Sequence, residues 1–98
     1  MWFQVPLNGD EEKERTLDFS DGYGTLIYPD NTGKCNGKPV LLKRFSWEEV
    51  TQGANILNLN VFRHTECGVE KGPYEEVVYY SNHNNTLKIF THSWVREP

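Results

Sequence analysis

The fold class of this chain is decided by residues 17–26, LDFSDGYGTL. In their first half, Leu17 and Phe19 alternate with polar residues, which is the two-residue period of a strand with one buried face. At the centre, Asp21-Gly22 is a tight-turn dipeptide, because glycine adopts a positive φ without steric cost. The chain then returns as a second strand, in which Gly24 indicates a bend or a close approach of another group to the backbone. The segment therefore predicts an antiparallel β-hairpin.

Similar alternating segments, separated by turn residues, extend in both directions from this hairpin. The predicted strands are Trp2–Val5, Arg15–Ser20, Tyr23–Tyr28, Val40–Val50, Ile56–His64, Tyr74–Ser81, Thr86–His92 and Trp94–Arg96. We also predict a turn at Asn8–Asp10 and one loose helical turn at Glu11–Glu14. Short connections make neighbouring strands antiparallel. We therefore predict one all-β domain over residues 1–98, an antiparallel up-and-down meander of six to eight strands that forms a small or partly open barrel.

The segment Val40–Val50 has two interpretations. As a strand it would be the longest of the chain, with Leu41, Phe45 and Trp47 at even spacing. However, Ser46-Trp-Glu-Glu49 also matches the capping box at the start of a helix, which Gly53 could end. A helix of about six residues is weak without packing, so we favour the strand.

The composition limits both the core and the partners. Only 37% of the residues are hydrophobic, but three Trp, five Tyr and five Phe supply large rings, which favour strands. Ten Lys and Arg against 14 Asp and Glu give a net charge of −4. Without a basic cluster, we expect neither nucleic acid nor an anionic membrane surface as a partner. No apolar run approaches the roughly 18–20 residues of a membrane-spanning helix.

The N-terminus and the two cysteines bear on location. Met1–Pro6 lacks the basic and apolar regions of a signal peptide, which predicts a cytoplasmic protein if Met1 is the natural start. Cys35 and Cys67 would then be free thiols, and this is the interpretation that we favour. In a secreted protein they could instead form one disulfide that closes a loop of about 32 residues.

The order of several short patterns resembles the small lipocalin-like (calycin-type) domains. The matching pieces are residues 17–26, Phe45-Ser-Trp47, Ile56–Leu59, and the hairpin from Tyr79-Tyr80 to Asn85–Ile89. They span roughly residues 15–90, and Trp2 is the one residue that could stand for the usual Gly-x-Trp opening strand. The resemblance implies a β-barrel that binds a small apolar molecule without catalysis, or that serves as a scaffold.

An aromatic inner face is the first candidate site. The side chains that we expect to contact a ligand are Phe19, Phe45, Trp47, Leu57, Leu59, Val78 and Tyr80. A barrel of about eight strands can either fill its interior with side chains or hold one small ligand. Aromatic walls with a few polar groups are typical of ligand pockets. The competing interpretation is that these rings are simply the core.

Acidic residues offer a second candidate, a surface for a protein partner. Adjacent residues of a strand point to opposite faces, so Glu48 and Glu49 cannot form a joint catalytic site, nor can Glu75 and Glu76. If Glu48 and Glu76 lie on neighbouring strands, they would instead form an acidic patch for a basic partner. The alternative function is therefore that of a protein–protein interaction module or inhibitor.

The remaining patterns give little support to catalysis or to a cofactor. Arg63–Cys67 contains His64, Glu66 and Cys67, but no paired-ligand spacing, which leaves a zinc site or a Cys67–His64 nucleophile as minor alternatives. Gly22-Tyr-Gly24 is too short for a phosphate-binding loop. Asn84-Asn85-Thr86 matches the N-glycosylation pattern, which we interpret as a turn. We expect no enzyme activity, no cofactor and no metal.

Overall fold

The computed structural model describes residues 1–5 and 14–96, and this part of the chain consists of strands, turns and loops without a helix. Its ten strands are β1 (Trp2–Gln4), β2 (Thr16–Ser20), β3 (Tyr23–Tyr28), β4 (Leu41–Glu49), β5 (Ile56–Glu66), β6 (Val69–Glu70), β7 (Tyr74–Tyr79), β8 (Ser81–His83), β9 (Thr86–Ile89) and β10 (His92–Arg96). Every pairing between them is antiparallel. The predicted all-β antiparallel meander is therefore confirmed.

The strands form one sheet that is curved but not closed. Its order is β6-β5-β4-β3-β2-β1-β10-β9-β8, and β7 pairs with β5 beside β6. The predicted strand Tyr74–Ser81 divides at Tyr80, because residues before it pair with β5 and residues after it pair with β9. This change of partner, together with the two-residue β6, makes ten strands rather than six to eight. The partly open form of the predicted barrel is the one observed.

The hairpin of β2 and β3 follows the sequence prediction closely. Asp21 and Gly22 have φ angles of 51° and 80°, so both adopt the left-handed conformation that a type I′ turn requires. Ser20 pairs with Tyr23, which leaves a loop of two residues. Leu17 and Leu26 face each other across the hairpin and are both buried. The turn thus fixes the register that places the apolar side chains on one face.

The segment Leu41–Glu49 is a strand, so the helical alternative is wrong. Phe45 is fully buried and Trp47 is half-buried on the same side of β4, as two-residue alternation requires. The Trp47 indole Nε1 donates a hydrogen bond to the Tyr23 carbonyl oxygen over 3.2 Å, and its backbone N donates to Gly22 O over 2.9 Å. Packing and pairing with β3 therefore outweigh the local capping signal.

A β-bulge changes the direction of the side chains in β5. Arg44 pairs with Arg63 and Phe45 pairs with Val61, so Phe62 is an additional residue in β5. One additional residue reverses the alternation beyond it. His64 therefore pairs with Lys43 and lies on the inner face with it.

The inner face of the sheet carries the core. The largest fully buried side chains are Trp94, Phe45, Leu17, Leu26, Leu59 and Val61. The Trp94 indole Nε1 donates to the Ile89 carbonyl oxygen over 3.1 Å, which satisfies the polar group of a ring that is otherwise surrounded by apolar atoms. Large rings and branched aliphatic side chains thus hold the sheet together, as the composition predicts.

Cys35 and Cys67 form a disulfide, so the prediction of free thiols is wrong. Their Cα atoms lie 4.9 Å apart and their sequence separation is 32 residues. The Cys67 backbone N also donates to the Pro39 carbonyl oxygen over 3.1 Å. The covalent bond therefore joins the loop between β3 and β4 to the turn between β5 and β6. The spacing of the two cysteines in the sequence does not show that the fold places them next to each other.

Two sequence predictions fall on other parts of the chain. The Asn8–Asp10 turn lies outside the described residues, and of the predicted helical turn Glu11–Glu14 only Glu14 is described. Within the described residues, no helix is long and apolar enough to cross a membrane.

Candidate functional site

An open pocket lies at one end of the inner face. Its volume is about 240 Å³, and its walls are Trp2, Phe19, Trp47, Glu49, Leu57, Tyr80, Asn82, Leu87, Ile89 and Arg96. Four of these residues are aromatic and three are aliphatic, and β1, β2, β4, β5, β8, β9 and β10 all contribute to the walls. Strands from both halves of the open sheet, including the edge strand β8, therefore meet around this volume.

Aromatic side chains form a continuous packed group on one side of the pocket. The rings of Phe19 and Trp47 meet edge to face, with centroids 6.0 Å apart. Phe19 contacts Phe45 in the same way, with centroids 5.9 Å apart. Phe45 is fully buried, whereas Phe19 and Trp47 are only partly buried. The rings that line the pocket are thus held in place by the core beneath them, and they keep part of their apolar surface open to the pocket.

The structure separates the seven predicted ligand contacts into two groups. Phe19, Trp47, Leu57 and Tyr80 line the pocket. Phe45 and Leu59 are fully buried, and Val78 packs against the core from β7. All seven thus lie on the inner face, and four of them border open space.

Two charged residues of opposite sign belong to the pocket walls. The guanidinium carbon of Arg96 lies 4.9 Å from the centre of the Trp2 ring. On β4, Glu49 accepts a hydrogen bond from the Tyr80 hydroxyl over 3.4 Å. Burial raises the pKa of Tyr80, and the charge and hydrogen bond of Glu49 raise it further, so the phenol remains a donor at neutral pH.

Sequence reasoning overlooked these charged residues as parts of the site. Alternation along β4 places Glu49 on the side of Trp47, and pairing places Arg96 opposite Trp2. The two-residue alternation of β4 therefore already indicated that Glu49 lies on the same face as Trp47. Arg96 could be assigned only when the pairing of β1 with β10 was known.

A partly buried ion pair occupies another part of the inner face. Lys43 Nζ lies 2.8 Å from Glu76 Oε1, and it also lies 5.6 Å from the Tyr74 ring centre and 5.3 Å from that of Phe90. Burial alone would lower the pKa of Lys43, but hydrogen bonds and charge interactions with Glu76 and Tyr74 outweigh it and raise that pKa above 10.5. The Glu76 carboxylate is thus paired with Lys43 on the inner face of the sheet.

Glu48 and Glu76 therefore do not share a face. Glu48 pairs with Asn58 on β5, whereas Glu76 pairs with Leu59, the next residue, so their side chains point to opposite sides. Glu48 instead shares the outer face with Glu75. Both carboxylates line a depression of about 400 Å³ on that face. An acidic outer surface accordingly contains Glu48 and Glu75.

The side chain of His64 on β5 lies beside those of Tyr74 on β7 and Glu66 on β5. Its Nδ1 lies 2.6 Å from the Tyr74 hydroxyl, and its Nε2 lies 3.1 Å from Glu66 Oε2 without the alignment of a hydrogen bond. Cys67 is part of the disulfide, so it has no thiol and the Cys67–His64 nucleophile is wrong. Across residues 1–5 and 14–96, no three His, Cys, Asp or Glu side chains are grouped to hold a metal ion.

A larger depression lies elsewhere on the sheet, with a volume of about 360 Å³. Its walls are Tyr79, Lys88, Ile89, Thr91, His92 and Ser93. Only two of these residues, Tyr79 and Ile89, are largely apolar, and Tyr79 is 75% exposed. The smaller inner-face pocket is the better candidate, because its walls include four aromatic and three aliphatic side chains, and apolar walls favour an apolar ligand.

Comparisons with known proteins give no information about the site. No protein-family model, no curated protein and no solved structure matches the chain. The resemblance to small lipocalin-like domains therefore stays a prediction. The pocket, its two charges and the acidic outer surface are the features from which a function can be argued.

Proposed function

We propose that this protein is a non-catalytic binding domain that holds a small, mainly apolar ligand in the inner-face pocket. The observation that carries the proposal is the open volume of about 240 Å³ with Trp2, Phe19, Trp47 and Tyr80 in its walls. Each square ångström of apolar surface removed from water contributes about 25 cal/mol, so partly exposed rings favour the entry of an apolar group. Binding of this kind is also what the lipocalin-like resemblance implies.

The size of the pocket restricts the ligand. Pockets for drug-sized molecules usually measure about 300–1,000 Å³, and this one, at about 240 Å³, is smaller. A compound with one or two rings fits that volume, whereas a long lipid chain would extend into solvent. The proposed ligand is therefore a compact ring compound.

Uptake of 1-naphthylamine, a neutral fluorescent probe with two fused rings, tests the proposal. We expect the wild type to bind one molecule with increased probe fluorescence, and Trp47→Ala to lose most of this binding. Tyr79→Ala is the matched control, because Tyr79 precedes Tyr80 and is 75% exposed. Equal uptake by wild type and Trp47→Ala, or no uptake by either at saturating probe, would contradict the proposal.

The acidic outer surface supports a second candidate function, the binding of a basic protein. Glu48 and Glu75 line the depression of about 400 Å³ and form no ion pair within the described residues. On the same side of β7, Val77 is 57% exposed and Tyr79 is 75% exposed. Apolar residues beside unpaired carboxylates could serve a partner with both basic and apolar side chains.

Charge reversal distinguishes this second function from the first. Glu48→Lys with Glu75→Lys should abolish capture of a specific partner from the native host and leave uptake of the naphthylamine probe unchanged. A captured protein that remains bound to the charge-reversed variant would exclude this surface as the docking site.

The N-terminus predicts a cytoplasmic location, whereas the disulfide favours an oxidising compartment, so the location stays a proposal that the redox state of the cysteines can test. Thiols of cytosolic proteins are normally kept reduced. Alkylation of the protein in native cells before lysis should label Cys35 and Cys67 if the protein resides in the cytosol. Absence of labelling without reductant would place it in an oxidising compartment instead.

A further inference from the structure

The two charges at the pocket are available to a ligand. The guanidinium carbon of Arg96 lies 4.9 Å from the centre of the Trp2 ring, and Arg96 forms no ion pair with any described residue. A cation–π contact occupies no acceptor, so the N–H groups of the guanidinium remain able to donate hydrogen bonds to a ligand. Glu49 accepts one hydrogen bond, from Tyr80, although an ionised carboxylate can accept about four. Each group therefore retains unused hydrogen-bonding capacity.

Their opposite signs restrict the charge of the ligand. Arg96 would attract a carboxylate, with which guanidinium forms strong paired hydrogen bonds. A ligand that carries only a negative charge would also face Glu49, and a purely cationic ligand would face Arg96. Like charges repel, and exposure of both side chains to solvent weakens this repulsion without reversing it. A ligand with one positive and one negative group satisfies both residues at once.

Aromatic walls determine the remainder of the ligand. Phe19 and Trp47 meet edge to face on β2 and β4, and Tyr80 completes the wall from the junction of β7 and β8. Aromatic rings pack favourably against one another in edge-to-face or offset arrangements. A planar ring on the ligand would therefore use this wall better than a flexible chain of the same volume.

We infer that the pocket selects a free aromatic α-amino acid or a close zwitterionic analogue, which deepens the proposed function and rests on it. The ring occupies the volume of about 240 Å³ among the aromatic side chains. The ligand carboxylate accepts hydrogen bonds from Arg96, and its ammonium group donates to Glu49. Tyr80 holds the Glu49 carboxylate by donating its hydroxyl hydrogen over 3.4 Å.

Four compounds that share a phenyl ring test the charge requirement directly. They are phenylalanine, 3-phenylpropionate, phenethylamine and propylbenzene, which carry both charges, the negative charge, the positive charge and no charge. We expect phenylalanine to bind about tenfold tighter than any of the others at pH 7, as a charge-assisted hydrogen bond at each end would give. The readouts are isothermal titration calorimetry and the fluorescence of the protein tryptophans.

Two matched variants assign the contacts. In Arg96→Gln, phenylalanine should bind no tighter than phenethylamine, because the carboxylate has lost its partner. In Glu49→Gln, phenylalanine should bind no tighter than 3-phenylpropionate. Lys88→Gln is the control, since Lys88 is exposed on β9 and is absent from this pocket. Near-ultraviolet circular dichroism checks that each variant keeps the wild-type packing.

The outcomes separate this inference from the proposed function. Equal binding of all four compounds, or a preference for one of the singly charged ones, would overturn the zwitterion and leave an apolar pocket standing. Uptake of the naphthylamine probe without any phenyl compound would also overturn it. Failure of the probe and of all four compounds would overturn both.

Discussion

The ring of Phe45 lies against Gly24, its partner on the neighbouring strand, so closely that a Cβ at Gly24 would overlap the ring carbons Cε2 and Cζ. Phe45 is fully buried and contacts both Phe19 and Phe90, with centroids 5.9 and 5.8 Å away. Since Phe19 in turn contacts Trp47, the space above one glycine determines where the rings of the pocket wall lie. The close approach that the sequence indicated at Gly24 is thus a packing requirement of the site.

Replacement of Gly24 by alanine should therefore destabilise the fold. The added methyl group meets a ring that cannot move without displacing its neighbours, and overpacking of this kind costs about 1–3 kcal/mol. Urea unfolding should show this loss for Gly24→Ala. Thr25→Ala, a change at the next residue, should cost clearly less. In a double-mutant cycle, Phe45→Leu should recover part of the Gly24→Ala loss, and strict additivity would argue against the contact.

Removal of the disulfide should lower the free energy of unfolding without changing the fold. The bond spans 32 residues, and a crosslink of this loop length contributes roughly 3–4 kcal/mol on the chain-entropy model. We expect Cys35→Ala with Cys67→Ala to unfold at lower urea concentration while its far-ultraviolet circular dichroism remains that of a β protein. Thiol titration of the unfolded, unreduced wild type provides the control, since it should detect no free thiol.

Local sequence patterns were sufficient to predict the fold class, but they did not predict which strands pair with one another. Two-residue alternation identified β2, β3 and β4, and the Asp21-Gly22 turn fixed one register. By contrast, the partner change at Tyr80 and the bulge at Phe62 depend on which distant strands meet. No local pattern encodes that choice, because it arises from packing of the whole sheet.

For the site residues, two-residue alternation predicted which face of the sheet each side chain occupies, but not how deeply it is buried. Phe45 and Trp47 lie on the same side of β4, yet the first is fully buried in the core and the second borders the pocket. The difference arises from their positions along the strand relative to the neighbouring strands. Sequence patterns assigned Arg96 no role in the site and made the Cys35–Cys67 disulfide only the less favoured alternative, since each of these residues meets its partner only through long-range pairing.

The loop between β3 and β4 should lose a stabilising contact in acid. The Asp30 carboxylate accepts hydrogen bonds from the backbone N–H groups of Cys35 and Gly37, over 2.9 and 3.0 Å. Burial alone would raise the pKa of Asp30, but these and other backbone donors outweigh it and lower the pKa below 3.8. A lowered pKa means that the contribution is present above 3.8 and is lost as the pH falls through the folded-state value.

Asp30→Asn is the variant that checks this dependence, because an amide keeps one acceptor oxygen but loses the charge. Its stability should lie below that of the wild type at pH 6. The difference should shrink as the pH falls through the folded-state pKa of Asp30. Asp18→Asn is the control, since Asp18 is exposed on β2. A difference that persists unchanged at pH 2 would show that the charge of Asp30 is not what holds the loop.

The Lys43–Glu76 ion pair should make stability depend on pH at the alkaline end. Because the pKa of Lys43 is raised above 10.5, its contribution is fully present below 10.5 and is lost as the pH rises through the folded-state value. The side chains are 11% and 31% exposed, so solvent weakens the pair less than it weakens a surface salt bridge. Removal of one partner from a fully buried pair costs about 3–5 kcal/mol, and partial exposure of Glu76 reduces our expectation to about 1–3 kcal/mol.

Denaturation of Glu76→Gln at several pH values measures this contribution. At pH 8 the variant should be less stable than the wild type, because Lys43 remains charged and mostly buried without a counter-charge. Above pH 10.5 the two should converge as Lys43 loses its proton. Glu75→Gln is the matched control, one residue away on the outer side of β7, and it should show no such convergence. If Glu76→Gln and Glu75→Gln behave identically across this range, the inner ion pair contributes nothing to stability.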